Sequence, residues 1–157
     1  MREEVYSRRL KLNGEEQEET LRSASNYANL FYEMQRYAES KALFRKTIPV
    51  VRRILGEEHR LTLKMRWVYA KALYDDTAST PDDLRGAVST LEDAERIARR
   101  VLGGAHPDVA WMGRSLQKSR AALRARETLL SVEEDDDDSE GRETVPSETP
   151  PPGDKSK

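Results

Sequence analysis

Apolar residues recur at three- and four-residue steps along most of the first 126 positions, the spacing of one face of a helix. Leu21, Ala24, Tyr27, Ala28, Phe31 and Met34 form the first clear stripe. A turn at Glu33 to Arg36 separates it from a second, which opens near Tyr37 and carries Leu43, Phe44, Thr47, Ile48, Val51, Ile54 and Leu55. Pro49 lies inside this helix, where it removes a backbone donor and crowds the preceding turn, so a kink is expected near Arg45 to Pro49. A third stripe runs from Thr62 through Leu63, Arg66, Tyr69, Ala70 and Leu73. After a polar connection, a fourth holds Leu84, Ala87, Leu91, Ala94, Ile97, Ala98, Val101 and Leu102. Pro81 fits the first turn of that helix, with Thr80 as N-cap and Asp82 and Asp83 near its positive end. His106, Pro107 and Asp108 open a fifth helix that is expected to run through Leu116 and Leu123 to about Arg126. At the N-terminus, Val5, Arg9 and Leu12 stand at helical spacing and read as half of a preceding unit.

The stripes themselves repeat. "LNGEEQEETL", ending at Leu21, returns 42 positions later as "LGEEHRLTL", ending at Leu63, and a partial third copy opens with "LGGAHPDVA" a further 47 on. Gly14, Gly56 and Gly103 occupy the same place in each copy, just past a helix end, where glycine takes positive φ without strain. The connection "YDDTASTPDD" is expected to hold the five residues by which 47 exceeds 42. A fixed period of this size predicts stacked helical units. The fold class is therefore all-α, a solenoid of antiparallel helix pairs with about two and a half repeats.

Composition sharpens this picture. Charged and hydrophobic residues each make up 36 % of 157 positions and aromatics 6 %, which suits a long, narrow seam better than a spherical core. There is no cysteine, so disulfides, thiolate metal sites and cysteine nucleophiles are excluded. No N-terminal or internal apolar run resembles a signal peptide or a membrane span, and a soluble, cytoplasmic protein is expected. The net charge of −2 hides a split. Residues 133–157 hold ten acidic and three basic residues, a net of −7, so the remainder carries +5. The expected organisation is a helical repeat domain over 1–130 and a disordered acidic, Pro-rich tail over 131–157.

The repeat resembles the tetratricopeptide family, most closely the 42-residue version of kinesin light chains, whose pattern runs like T-x3-L-N-N-L-A-x2-Y, Y-x-E-A and L-G-x2-H-P. The signature falls on Ala24, Tyr27, Ala28, Phe31, Ser40, Phe44 and Thr47 in the first copy. In the second it falls on Arg66, Tyr69, Ala70, Leu73, Ala87, Leu91 and Ala94. Ala24 and Arg66 stand where the family has a large residue, Ser40 where it has alanine, and Gln35 where it has a turn glycine. The resemblance implies a right-handed superhelix whose first helices line a concave face that binds a peptide. The groove positions it implies are Arg22, Asn26, Asn29 and Glu33 in the first repeat. The second gives Lys64, Trp67, Val68 and Lys71, and the third Trp111, Ser115 and Lys118. Asn26 matches the family's second groove asparagine. Independently of the family, Arg22, Asn26, Asn29 and Glu33 lie at i, i+4, i+7 and i+11, one polar helix face.

The candidate chemistry is that of recognition. Trp67 and Trp111 read either as groove anchors or as packing between helices. Arg22, Lys64, Lys71, Arg114 and Lys118 read either as a receptor for an acidic peptide or as a solvated face. His59 and His106 stand 47 apart without ligand-spaced partners, which favours a turn or cap role over a metal pair. No phosphate loop, nucleophile elbow or paired-carboxylate motif is present, so neither an enzyme nor a cofactor is expected. The leading expectation is a protein interaction module that binds a partner's peptide segment. The alternatives are polyanion or nucleic-acid binding, for which +5 is weak, and a divergent piece of a longer scaffold. Self-association through the helix at 5–12 is a further expectation, as is masking of the groove by Glu133 to Asp138. Ser131, with Glu134 three positions on, resembles an acid-directed kinase site.

Overall fold

The computed structural model describes residues 17–140 and residue 153, with side chains described through residue 134. The expected helix at 5–12, the cap at Gly14 and the sequence beyond residue 140, Gly153 apart, lie outside these. Five helices follow one another: α1 (Gln17–Glu33), α2 (Tyr37–Leu55), α3 (Arg60–Asp75), α4 (Pro81–Leu102) and α5 (Pro107–Glu140). Each packs on its successor, and α3 also meets α1 on one side and α5 on the other. The first helices α1, α3 and α5 therefore form one layer, and α2 and α4 lie behind it.

The seams are built on small residues. Ala24, Ala28, Ala70, Ala87 and Ala94 are fully buried, which lets neighbouring backbones approach. Ser40 fills the alanine position of the repeat pattern and uses its hydroxyl, donating 2.9 Å to the carbonyl of Ala28. One apolar cluster joins α1, α2 and α3 through Leu21, Phe44, Val51, Met65 and Val68. Two more tie α3 to α4 and α5, one around Leu63, Ile97, Val109 and Met112 and the other around Leu73, Leu91 and Leu116. The helix α3 is enclosed by the other elements and buries nine residues, among them Arg66. That guanidinium reaches Asp93 at 3.2 Å, while its Nη1 is buried without a partner.

The turns follow the local chemistry closely. Gly56 and Gly103 take φ of 88° and 89°, and each donates its N–H 3.1 Å to the carbonyl four residues earlier. Both lie in a backbone region that is essentially glycine's own. His59 and His106 act as matching caps, their Nδ1 atoms each accepting a backbone N–H at 3.1 Å, from Leu61 and Asp108 respectively. Thr80 and Asp83 form the expected cap of α4 reciprocally, with Pro81 behind Thr80.

Three expectations are corrected. The connection between α3 and α4 spans residues 76–80 against 34–36 in the first pair, so it takes only two of the five extra residues. The other three lengthen α4, which has 22 residues where α2 has 19. The reason is Pro81 and the Thr80 cap, which start the helix early. The helix α5 does not end near Arg126 but continues to Glu140, so the expected disordered tail begins with ten helical residues, 131–140. No glycine or proline interrupts 114–140, and its Ala, Leu, Arg and Glu content sustains a helix. The third correction concerns Val68, described with the site below. Across Pro49, α2 runs unbroken from Tyr37 to Leu55.

Candidate functional site

Side chains of α1, α3 and α5 meet across the first layer. Trp67 of α3 donates its indole N–H to Ser115 Oγ of α5 at 2.9 Å. One turn along α3, the Lys71 ammonium lies 5.3 Å from the Trp67 ring and 4.9 Å from the ring of Tyr32 on α1. A cation held between two aromatic faces fixes both rings. The Tyr32 hydroxyl donates to Asp75, closing the link from α1 to α3. Burial, reinforced by the hydrogen bond to that carboxylate, pushes the Tyr32 phenol well above its ordinary range. Burial also raises the Tyr74 phenol beside it.

At the other end of the same layer lies an open cleft of about 920 Å³. Leu61, Leu63, Trp67, Leu102 and Met112 contribute its apolar surface. Charged groups edge it in pairs: Arg22 with Glu18 at 3.1 Å and Arg60 with Asp108 at 3.5 Å. Lys64 lines the cleft and has no carboxylate partner among the described residues. Arg22, Asn26, Lys64 and Trp67 are the four sequence-derived groove residues that line this cleft.

The others are distributed along the layer. Asn29 is half-buried and donates 3.0 Å to exposed Glu33 within α1. Trp111 is 51 % exposed, with the Arg114 guanidinium 4.7 Å over its ring. Lys118 is exposed one turn further along α5. Ser115 is buried and spends its hydroxyl on Trp67, so it positions that ring. Val68 is only 5 % exposed and belongs to the core with Phe44 and Met65, so it presents nothing to a ligand. Its place follows from the enclosure of α3, which buries the position that α1 exposes at Asn26.

Sequence spacing missed His59, Arg60 and Asp108, which reach the cleft from helix starts, and its apolar lining. The repeated histidines at 59 and 106 were the available signal, since they mark equivalent helix starts at one end of the layer.

Residues 20–61 match the family model for the tetratricopeptide repeat, a 42-residue unit ending in the first turn of α3. This chain carries a tetratricopeptide repeat over those residues. No curated protein and no solved structure gives a match. Repeats of this family are generally protein–protein interaction modules. The matched repeat comprises α1 and α2 and runs into α3, so it supplies Arg22 and Asn26 to the cleft. It also contains Gln35, which the tetratricopeptide pattern replaces with glycine. No helix among the described residues is long and apolar enough to cross a membrane.

Proposed function

We propose that this chain is a non-catalytic, cytoplasmic adaptor whose first-helix layer receives a peptide segment of a partner protein. The observation that carries this reading is the continuous polar and aromatic surface shared by α1, α3 and α5. Tyr32, Trp67 and Trp111 supply ring faces, Lys71 and Arg114 lie against them, and Lys64 and Lys118 add exposed cations on α3 and α5. Rings of this kind bury large areas at low entropic cost, and arginine and lysine add directed bonds to carboxylates. An extended or helical peptide with acidic and apolar residues fits this chemistry. The 42-residue spacing favours the kinesin light chain type of repeat within the family.

The test is affinity. Peptides selected from a random display library against the full chain are titrated against the wild type, Lys64→Glu and Trp111→Ala. Both positions are exposed, so the fold is preserved. Each change is expected to weaken binding about 10-fold or more, equivalent to roughly 1.4 kcal/mol. Unaltered affinity in both variants refutes the reading.

A further inference from the structure

Among the described side chains, the last ties between α5 and the helical body are an ion pair from Arg85 to Glu127 at 3.3 Å and a bond from Arg126 to the carbonyl of Thr77 at 3.0 Å. Beyond them the hydroxyls of Thr128 and Ser131 bond only to carbonyls of their own helix, at 2.9 and 3.0 Å. Residues 128–140 thus form an overhang, about 20 Å long at 1.5 Å per residue. It carries three exposed apolar side chains, Leu129 at 61 %, Leu130 at 42 % and Val132 at 52 %. Six consecutive acidic residues follow, Glu133 to Asp138. Here the helix has no packed face to add to its own backbone hydrogen bonds, and acidic residues at its C-terminal end oppose the macrodipole. Cover from a partner would offset both costs.

We propose that the overhang of α5 docks on the first-helix layer of a second copy of this chain, head to tail. The proposal rests on the reading of that layer as a ligand-binding face and names one occupant for it. Charge complementarity carries it. Lys64 and Lys118 have no carboxylate partner among the described residues, and Arg114 lies over the Trp111 ring. Trp111 offers an exposed ring against which Leu129 and Val132 can pack, in the manner of a helix seated in a groove. Pairing of overhang with overhang sets one run of six acids against another and is repulsive. Docking within one chain is excluded by the helix itself. Lys118 and Glu133 are fifteen positions apart on a continuous α5, which holds them about 22 Å apart. The contact therefore needs another copy, and it leaves one overhang and one face free at the ends of the pair.

The experiment is sedimentation velocity on the full chain up to about 100 µM, at about 50 mM and about 0.5 M salt. The wild type is expected to dimerise with concentration and to dissociate as salt rises. Leu129→Asp/Val132→Asp and Arg114→Glu/Lys118→Glu are each expected to be monomeric with unchanged circular dichroism, since all four positions are exposed. An equimolar mixture of the two variants restores one overhang and one intact face, and is expected to recover a heterodimer. A monomeric wild type at low salt, a dimer indifferent to both variants, or a mixture that stays monomeric overturns the proposal. The overhang variant is then titrated with a peptide of residues 127–140 and with a library-selected peptide. Binding of the selected peptide alone refutes self-docking and leaves the binding-face reading standing, and binding of neither refutes both.

Discussion

Gln35 turns left-handed at φ 59° between α1 and α2. Its N–H bonds to the carbonyl of Tyr32 at 2.9 Å, and that of Arg36 to the carbonyl of Phe31 at 2.8 Å, the paired closure of a Schellman turn. A side chain in this conformation costs about 1 kcal/mol that glycine avoids. Gln35→Gly is therefore expected to stabilise the chain by roughly 0.5–1 kcal/mol, after the greater freedom of unfolded glycine is subtracted. Urea denaturation with an unchanged m-value is the check. A second residue-scale feature is the pair of Lys41 and Asp76, 2.7 Å apart and largely buried. The hydrogen bond from Lys41, helped by the N–H of Ala78, holds the Asp76 carboxyl below its ordinary value. The backbone N–H of Thr80 does the same for Asp83. A depressed folded value means the unfolded chain binds protons first. The stabilisation is fully present above about pH 4 and is lost as pH falls through the folded values. Asp76→Asn leaves the Lys41 ammonium buried without its counter-ion and is expected to cost about 3 kcal/mol at pH 7. It should also flatten the acid limb of a melting-temperature profile. The substituted turn residue was legible as a departure from the repeat pattern. The Lys41 pairing was not, because its partner is 35 positions away.

At the scale of elements, sequence pattern placed the starts of α2, α4 and α5 and came within two residues of that of α3, and capping chemistry that acts within four residues marks α3, α4 and α5. The start of α4 is the clearest. Thr80 and Asp83 satisfy each other's backbone donors, and Pro81 gives up none that the helix needs. Thr80→Ala is expected to lower stability by about 1 kcal/mol, and Thr80→Asp to retain most of it, as read by thermal melts. Lengths were less legible than starts. The end of α5 was expected near Arg126, where the apolar stripe fades, yet the helix continues to Glu140. Periodicity reports which face is buried, and the described side chains of the overhang, 128–134, are all exposed. The five additional residues of the second repeat divide between connection and helix for a related reason. A cap fixes where a helix begins, and spacing between repeats leaves the division open.

For the whole molecule, stacking decides which residues a ligand could meet. The layer of α1, α3 and α5 was legible from the repeat because equivalent positions in each copy share a face. Enclosure was not legible, and it removes Val68 from that face, while on the outer helix Ser115 is buried against Trp67 and Trp111 stays exposed. Links between neighbouring first helices, Tyr32 to Asp75 and Trp67 to Ser115, make the layer one surface. The central claim is that this surface is where the chain binds a peptide. Its most direct test is NMR shift mapping of the full chain with a library-selected peptide. The account predicts perturbations concentrated at Arg22, Asn26, Lys64, Trp67, Trp111 and Lys118. Perturbations confined to the outward faces of α2 and α4 would contradict it.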